Sequence, residues 1–369
     1  MIFNCQKEDL LMAIQTVGRA ISGKNTLPVL SGILIIAENN LLTVRATDLD
    51  IAVECNVPAD VEEEGAMVVA EGRRFIEMVR QLPNETINIS LVNEYDVKIK
   101  YSGAELIVHG FDNEQFPILP GMDGEIKGVM AGEAFAKMVK QVAIAASTEE
   151  SRPVLTGIMM NISHDELVMV STDSHRLALV KGNWQSDSEE SIIVPAKTMQ
   201  EVAKIAALEE NISMMTTKNN VCFKMGNTTF ISRLINGQFP DYNPILPKEE
   251  SFKYKIFVNK RTLLEALNRA NLLSRDNNNI IKLRLESDGI MMNANSPEVG
   301  NIEEKIPATV IGDELFIGYN VKYILDALKV IDSETVSIKL TGPLTPGIIV
   351  PEEEDNYTYL LLPVRINNF

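Results

Sequence analysis

Residues 27–30 read Leu-Pro-Val-Leu and are followed by Ala46-Thr47-Asp48, and the same pattern returns as Arg152-Pro153-Val154-Leu155 and Ser171-Thr172-Asp173. The prolines Pro28 and Pro153 are 125 positions apart, and the threonines Thr47 and Thr172 have the same separation. Because one offset holds at two landmarks, the similarity extends over a whole segment. The sequence therefore predicts an internal repeat of domain size.

A third, weaker copy completes the series. Ile280-Ile281-Lys282-Leu283 and Asn295-Ser296-Pro297 stand where the earlier motifs stood. Polar breaks at 121–124 and 247–250 separate the copies and suit linkers. The chain of 369 residues then divides into three domains of ordinary size, predicted at 1–121, 122–249 and 250–369.

The composition is that of a soluble globular protein, with 45% hydrophobic and 23% charged residues. Apolar runs such as 359–364 are far shorter than the roughly 18 residues that cross a bilayer, and residues 1–9 are too polar for a signal peptide. We therefore expect a cytoplasmic protein. Its cysteines, Cys5, Cys55 and Cys222, are widely separated and lack metal-ligand spacing, which predicts buried free thiols.

Each third reads as helix, strands, helix and strands again. Apolar residues recur at three- and four-residue spacing in six segments, which predicts amphipathic helices over 7–20, 71–82, 132–145, 196–208, 259–271 and 319–331. Runs rich in β-branched residues lie between them and predict strands, among them 32–36, 42–46, 87–91, 97–101, 167–171, 221–225 and 336–340. The predicted fold is α+β, with three tandem similar domains of two helices each against mainly antiparallel sheets.

Charge is distributed unevenly between the predicted helices and the rest of the chain. The whole sequence has a formal net charge of −17, which by itself argues against nucleic acid. The six predicted helices, however, carry fourteen basic and eight acidic residues, a net charge of +6, so the remainder carries −23. If the helices share one side of the molecule, that side attracts polyanions. Solubilising lysines and arginines on helix surfaces are the plainer explanation, and the charge alone does not decide between the two.

The common enzyme signatures are missing from the sequence. It has no phosphate-binding loop, no dinucleotide-binding glycine motif, no His-Glu-x-x-His and no Gly-x-Ser-x-Gly. His109 and His164 have no carboxylate or cysteine at useful spacing and are expected to be ordinary residues. An enzyme with a site near Asp173 and His175 remains one alternative, and a repeat scaffold that binds only proteins is another.

The segment after Thr172 can also be interpreted as a binding surface. A turn there would project His175 and Arg176 beside Leu177 and Leu179. The apolar C-terminal residues 360–365 would supply a second wall, or simply form the last core strand. Both can be true, because alternate residues of a strand face opposite sides.

Motifs along the full length of the chain resemble those of the bacterial sliding-clamp family, the β subunits of DNA polymerase III. They are Thr26-Leu27-Pro28-Val29-Leu30, Thr47-Asp48-Leu49, residues 171–178 (Ser-Thr-Asp-Ser-His-Arg-Leu-Ala), residues 237–242 (Gly-Gln-Phe-Pro-Asp-Tyr), Asn320-Val321-Lys322-Tyr323 and Leu362-Pro363-Val364-Arg365. The resemblance implies a head-to-tail homodimer that closes into a ring around duplex DNA, with helices lining the hole. It implies a non-catalytic processivity factor without a cofactor, opened by a separate ATP-driven loader.

The resemblance also implies three sets of site residues. A hydrophobic pocket for partner peptides, including those of the polymerase α subunit, the clamp loader and other replication and repair proteins, would use Leu155, Thr172, Ser174, His175, Arg176, Leu177, Leu179, Pro240, Ile245, Asn320, Tyr323, Leu344, Leu360, Leu361, Leu362, Pro363, Val364 and Arg365. Sequence-independent contacts to the DNA backbone would use Lys24, Arg73, Arg152 and Lys197. The subunit interface would join Leu272 and Leu273 to Leu106 and Ile107 of the other subunit. Ser174 departs from the family pattern, which has glycine there.

Overall fold

The computed structural model describes residues 1–21, 23, 27–121, 126–186 and 188–366. Lys24, Thr26 and most of the first predicted linker lie outside this part of the chain. The chain forms two compact units, Met1–Ala136 with Gln185–Asp187 and Glu201–Leu234, and Lys137–Trp184 with Ser188–Gln200 and Ile235–Phe369. The first is called unit 1 and the second unit 2 below. Residues of the predicted middle domain belong to both.

Six α-helices occur in the described residues, and each lies where the apolar spacing predicts one. Asn259 and Asn320 cap two of them, because their side chains accept hydrogen bonds from the backbone N–H groups of Thr262 and Lys322. Leu82 ends the second helix directly before Pro83, which cannot continue it. The helices are α1 Lys7–Val17, α2 Gly72–Gln81, α3 Gly132–Ala143, α4 Ala196–Ala206, α5 Lys260–Ser274 and α6 Val321–Val330.

The described residues form 27 strands, and every pairing between them is antiparallel. The seven predicted strands are all present. In chain order the strands are β1 Ile2–Gln6, β2 Ile33–Glu38, β3 Leu41–Thr47, β4 Ile51–Pro58, β5 Asp60–Glu63, β6 Gly65–Val69, β7 Thr86–Val92, β8 Asp96–Tyr101, β9 Ala104–Val108, β10 Gly110–Phe111, β11 Ile126–Ala131, β12 Gly157–Ile162, β13 Glu166–Thr172, β14 Arg176–Asn183, β15 Glu190–Pro195, β16 Asn211–Thr216, β17 Asn220–Met225, β18 Thr228–Arg233, β19 Tyr254–Asn259, β20 Ile280–Glu286, β21 Gly289–Ser296, β22 Gly300–Pro307, β23 Thr309–Ile311, β24 Leu315–Asn320, β25 Thr335–Leu340, β26 Gly347–Pro351 and β27 Tyr357–Leu361.

Unit 1 contains a five-stranded sheet, β5-β1-β7-β8-β9, and a nine-stranded sheet, β10-β6-β2-β3-β4-β18-β17-β16-β11. The nine-stranded sheet joins strands from the first and middle thirds of the sequence. Its junction is the pairing of β4 with β18, in which Ala52 lies opposite Ile231.

Unit 2 repeats this arrangement with the middle and last thirds. Its nine-stranded sheet has the order β15-β12-β13-β14-β27-β26-β25-β19-β23, and its smaller sheet has the order β22-β21-β20-β24. The junction is the pairing of β14 with β27, in which Leu177 lies opposite Leu360.

The Thr-Asp repeat of the sequence is a turn that recurs with the same hydrogen bonds. In the first copy the Thr47 hydroxyl donates to the carbonyl of Ile51 at 2.7 Å, and Asp48 Oδ1 accepts from the backbone N–H of Asp50 and Ile51 at 3.0 and 2.8 Å. Thr172 and Asp173 make the equivalent bonds at 2.7, 2.9 and 3.0 Å. Such short polar side chains satisfy backbone groups that a tight turn would leave unpaired. The motif is therefore conserved between the copies for a structural reason.

The core confirms the expected state of the cysteines and the expected helix faces. Cys5, Cys55 and Cys222 are buried and free, and burial raises the pKa of Cys5 to about 12. Helix α1 buries Leu10, Ala13, Ile14 and Val17, which follow the predicted spacing. Within the described ranges, no helix is both long and apolar enough to span a membrane.

Candidate functional site

An apolar cluster lies on one face of the β14–β27 junction in unit 2. Leu177, Leu179 and Leu360 pack there with Phe239 and Met159, and all five are less than a tenth exposed. Leu177 and Leu179 are two residues apart and so project from the same face of β14. Leu360 reaches that face from the neighbouring strand. The junction strands therefore build a continuous hydrophobic floor from residues far apart in sequence.

The predicted pocket residues fall into three groups by exposure, and all belong to unit 2. The exposed group can meet a partner directly, and the buried group gives the surface its shape. The exposed residues are Ser174, His175, Pro240, Ile245, Leu344, Leu362 and Arg365; the half-buried ones are Arg176, Asn320, Tyr323, Pro363 and Val364; the buried ones are Leu155, Thr172, Leu177, Leu179, Leu360 and Leu361.

Arg176 does not project into solvent beside His175, so this part of the turn prediction is wrong. Arg176 is the first residue of β14 and points to the face opposite Leu177, where its side chain turns inward with 12% exposure. Its Nε contacts Asp173 Oδ2 at 3.0 Å, its Nη1 contacts Asp326 Oδ2 at 2.7 Å and its guanidinium lies 4.3 Å from the ring centroid of Tyr323. Arg176 therefore ties the turn to helix α6.

Burial disfavours the charged form of Arg176, but its partners outweigh that effect. The hydroxyl of Tyr359 accepts a hydrogen bond from Nη1 at 3.3 Å, and together with Asp326 and Asp173 it raises the pKa of Arg176 above the usual arginine range. Tyr359 in turn donates to the carbonyl of Tyr323 at 3.0 Å. Each polar group in this network has a partner, which is the condition for burying it.

His175 and Tyr323 form the exposed side of the same network. Their ring centroids are 6.5 Å apart with planes inclined by 22°, so the imidazole stacks along the phenol ring. Burial raises the pKa of Tyr323 above its usual value. The two rings offer a flat surface at the exposed end of the Arg176 network. The alternative of an enzyme site at Asp173 and His175 is not supported. The Asp173 carboxylate does not pair with the His175 ring as a catalytic dyad would, because it is bound by the Arg176 side chain and by two backbone N–H groups.

Ser174 adopts the left-handed region, with φ 76°, and Leu49 does so at the equivalent place with φ 79°. Glycine adopts this conformation at little cost, which explains the glycine of the family pattern at position 174. The Ser174 hydroxyl accepts a hydrogen bond from Arg152 Nη1 at 3.2 Å. The substitution thus links a predicted DNA-contact residue to the rim of the pocket.

The C-terminal residues leave β27 and run along β24. Leu362 N–H donates to the carbonyl of His175 at 3.0 Å, and Val364 N–H donates to the carbonyl of Gly318 at 2.8 Å. A Cβ on Gly318 would collide with Ile366 Cγ2 and lie 2.9 Å from the carbonyl oxygen of Val364, so only glycine permits this close approach. The tail therefore covers the β24 edge of the smaller sheet.

Sequence reasoning missed Asp326, Tyr359 and Phe239. Phe239 was signalled by its recurrence with Phe116 in the repeat, and both phenylalanines pack in the apolar cluster of their own unit. Asp326 carried no signal, because only the packing of α6 on the sheet brings it to Arg176, 150 positions away.

The predicted DNA-contact residues that the structure describes, Arg73, Arg152 and Lys197, are exposed. None of the three has a carboxylate partner within the described ranges; Arg73 Nη2 donates to the carbonyl of Ile21 at 3.3 Å. Lys24 lies outside those ranges. Seven of the fourteen basic helix residues do form ion pairs with carboxylates, namely Arg19, Arg74, Arg80, Lys137, Lys204, Arg261 and Arg269. The helix charge available to an external anion is therefore concentrated on fewer side chains than the sequence count indicates.

The expectation that His109 lacks a carboxylate partner is wrong. Its Nδ1 lies 2.8 Å from Asp96 Oδ1, and this hydrogen bond lowers the pKa of the Asp96 carboxyl. The two residues are thirteen positions apart and meet because β8 and β9 form a hairpin, with Val97 opposite Val108. The pair is exposed. Across the described segments, no group of three or more histidine, cysteine, aspartate or glutamate side chains is arranged to hold a metal.

The predicted interface residues lie at open edges of the two smaller sheets or beside them. In unit 1, Leu106 and Ile107 belong to β9, the last strand of the five-stranded sheet, and Ile107 is 50% exposed. In unit 2, Leu272 and Leu273 lie near the end of α5, and Leu272 is 61% exposed. Helix α5 packs on β21 and on β22, the edge strand of the smaller sheet. Exposed apolar residues at an unpaired edge are typical of an interface.

Two tandem junctions, a threefold sequence repeat and antiparallel sheets backed by helices define a clamp-type replication protein. The family model of the DNA polymerase III beta subunit matches in three parts, the N-terminal domain at residues 1–120, the central domain at 129–241 and the C-terminal domain at 243–365. The chain therefore belongs to the DNA polymerase III beta subunit family, the beta sliding clamps. This confirms the predicted resemblance, the three-domain clamp fold and the role of a non-catalytic processivity subunit.

Relatives match over essentially the whole chain. The beta sliding clamp of Bacillus subtilis (strain 168) is 34% identical and that of Staphylococcus epidermidis 33%, each over 99% of this chain and at least 99% of the relative. The crystal structure of the DNA polymerase sliding clamp from Bacillus subtilis superposes with a TM-score of 0.93 at 33% identity, covering 100% of both chains. A sliding clamp from Pseudomonas aeruginosa bound to griselimycin gives a TM-score of 0.94 at 27% identity, covering 99% of this chain and 100% of the other.

Proposed function

We propose that two copies of this chain close head to tail into a ring around duplex DNA. The observation that carries this proposal is the arrangement of sheet edges. Each nine-stranded sheet combines five strands from one third of the sequence with four from another, and the described residues leave one five-stranded and one four-stranded sheet unjoined. Pairing β9 of one subunit with β22 of the other would complete one further nine-stranded sheet at each of two interfaces related by twofold symmetry, so the dimer would hold six.

The register of this third junction follows from the first two. Strand β22 corresponds to β4 and β14 in the repeat, and β9 corresponds to β18 and β27. Ala52 faces Ile231 and Leu177 faces Leu360 at the known junctions. The corresponding pair is Asn301 with Ile107 of the other subunit. Leu272 and Leu273 would then cover Leu106 and Ile107 from the side of α5.

The helices would face the DNA, as the charge distribution of the sequence favours. Arg73, Arg152 and Lys197, together with Lys24, would contact phosphates without reading bases, so the ring can slide. For Arg73, Arg152 and Lys197, the lack of carboxylate partners in the described part of the chain supports this assignment. Retention on DNA would then depend on closure of the ring and only weakly on phosphate affinity.

The β14–β27 surface would bind short peptides of partner proteins, with apolar anchors on the Leu177, Leu179 and Leu360 floor and polar contacts at its exposed rim. Partners of this kind are the polymerase III α subunit, the clamp loader and other replication and repair proteins. Tethering makes rebinding of the polymerase to the primer end intramolecular, which raises processivity without a new catalytic contact. We place this clamp function in the cytoplasm. We assign the three domains to residues 1–121, 122–249 and 250–369.

Two measurements test the proposal. Size-exclusion chromatography with light scattering should give twice the chain mass, and negative-stain electron microscopy should show particles with a central hole. Leu272→Arg should yield monomers, whereas Leu344→Arg, at an equally exposed leucine away from both edges, should remain dimeric. Protein loaded on DNA should leave linear DNA much faster than circular DNA at the same salt concentration. A monomeric wild type without a hole, or equal loss from both DNA forms, would contradict the ring.

A further inference from the structure

The first junction, in unit 1, carries a cleft at the place equivalent to the peptide surface of unit 2. The cleft is open, has a volume of about 520 Å³, and is walled by residues 117–121. Ile231 and Phe116 line it, in the positions that Leu360 and Phe239 have in unit 2. Ile118, on the wall, is 99% exposed. The fold therefore builds a groove of the same kind twice in each chain.

The two grooves differ at the centre of the sheet face. Arg45 on β3 lies opposite Glu54 on β4, and the equivalent pair in unit 2 is Val170 opposite Leu179. Lys224 lies opposite Ser213, and its equivalent, Val350, lies opposite Ser337. Three charged side chains in unit 1 thus replace three aliphatic ones that belong to the apolar cluster of unit 2 or pack against it.

Arg45 and Glu54 are held in place within unit 1 by an ion pair, whereas Lys224 is exposed. Arg45 Nε contacts Glu54 Oε2 at 2.7 Å, and the two side chains are 33% and 23% exposed. Lys224 has no carboxylate partner among the residues that the structure describes. An apolar peptide anchor placed in the cleft would remove solvent from all three groups and leave the ammonium of Lys224 unpaired. Desolvation of charges without new partners opposes such binding strongly.

We infer that Arg45, Glu54 and Lys224 determine peptide specificity by exclusion: they prevent the first cleft from taking the peptides that the unit 2 surface takes, so each chain binds one peptide although its fold offers two grooves. This inference rests on the proposed peptide-binding function of unit 2. Building charge into an alternative site is a direct way to reject an apolar partner.

The test replaces the charged residues by their unit 2 equivalents, in the variant Arg45→Val/Glu54→Leu/Lys224→Val of the full chain. The probe is a short synthetic peptide with leucine and phenylalanine anchors, titrated by isothermal calorimetry. We expect one peptide per chain for the wild type and two for the variant. The matched control, Arg45→Glu/Glu54→Arg, keeps the ion pair with its charges exchanged. It should bind one peptide per chain.

A local probe separates the two grooves. Ile118→Cys, labelled with an environment-sensitive dye, reports occupation of the first cleft. The dye should react selectively at position 118, because the thiolate is the reactive form and burial raises the pKa of Cys222 to about 11 and of Cys5 to about 12. Addition of peptide should change the fluorescence of the dye in the triple variant and leave it unchanged in the otherwise wild-type chain. Circular dichroism of each variant establishes that it is folded.

Each outcome decides the inference. A dye response in the triple variant alone supports it, and a silent dye in a folded triple variant, or a response in the otherwise wild-type chain, overturns it. If the unit 2 surface binds no peptide in the wild type, the proposed function fails. The dye on the triple variant still shows whether the charges controlled access to the first cleft.

Discussion

Replacing Arg176 by alanine should destabilise unit 2 more than any substitution at the exposed rim of the pocket. The change removes a guanidinium that is 12% exposed and that contacts Asp173, Asp326 and the ring of Tyr323. Asp173 and Asp326 would remain at their positions, 15% and 35% exposed, without their cation. The cost therefore comes mainly from the two carboxylates that are left behind.

The size of the effect follows from these contacts. Removing one partner of a buried ion pair costs about 3–5 kcal/mol, and the partial exposure of Asp326 places this site at the lower end, about 3 kcal/mol. The lost contact with Tyr323 adds about 0.5–1 kcal/mol. In a unit of roughly 200 residues, each kcal/mol lowers the Tm by about 2–4 °C. We expect a decrease of about 10 °C in the transition of unit 2.

Differential scanning calorimetry of Arg176→Ala, Asp326→Asn and the double variant measures both the loss and its source. The two single effects should not add, and the coupling energy should be about 1.5 kcal/mol or more, because both substitutions break the same contact. Arg176→Lys is the matched control: it keeps the charge but cannot contact both carboxylates with a planar fork, so it should lose about half as much. A Tm change below 2 °C for Arg176→Ala, or additive single effects, would refute this account.

Three further substitutions have defined outcomes. Gly318→Ala should displace segment 362–366, because the added Cβ has no room, and weaken peptide binding about tenfold, roughly 1.4 kcal/mol, in fluorescence anisotropy while dimerisation is unchanged. The Arg269 guanidinium lowers the pKa of Glu304, so the pair stabilises the fold above the usual glutamate pKa of 4.5 and loses this effect as the pH falls through the lowered pKa. Glu304→Gln should cost up to about 1 kcal/mol at pH 7 and progressively less as the pH falls below 4.5 in urea unfolding, and a pH-independent cost would contradict the ion pair. Ser174→Gly should raise the stability of the turn by about 0.5–1 kcal/mol by relieving its left-handed backbone, whereas Ser174→Ala should not, and equal melting temperatures for both would exclude strain at this position.

Local structure could be predicted from the sequence because periodicity reports which face of an element is buried. The helix over 259–271 is α5 Lys260–Ser274, and the strand over 97–101 is β8 Asp96–Tyr101. A turn after Thr172 was also predicted, and the structure has the equivalent turn after Thr47, where the motif recurs. These features depend on neighbouring residues alone, and neighbouring residues are what the sequence displays.

Strand partners could not be predicted in the same way. A period-two pattern shows which residues share a face but does not show which strand lies alongside. The pairing of β14 with β27 brings Arg176 opposite Leu361, 185 positions away, and creates the pocket floor. The orientation of Arg176 relative to Leu177 follows from their being neighbours in β14, which puts them on opposite faces. The Asp96–His109 pair required knowledge of the hairpin.

Strand β27 pairs with β14, which is far from it in sequence, and supplies Leu360 to the apolar floor. The peptide surface we propose therefore exists only while these two strands are paired. A chain in which the β14–β27 pairing has opened locally loses Leu360 from the floor and cannot hold a partner peptide. A bound peptide would in turn stabilise the closed pairing, because a ligand stabilises the form that binds it.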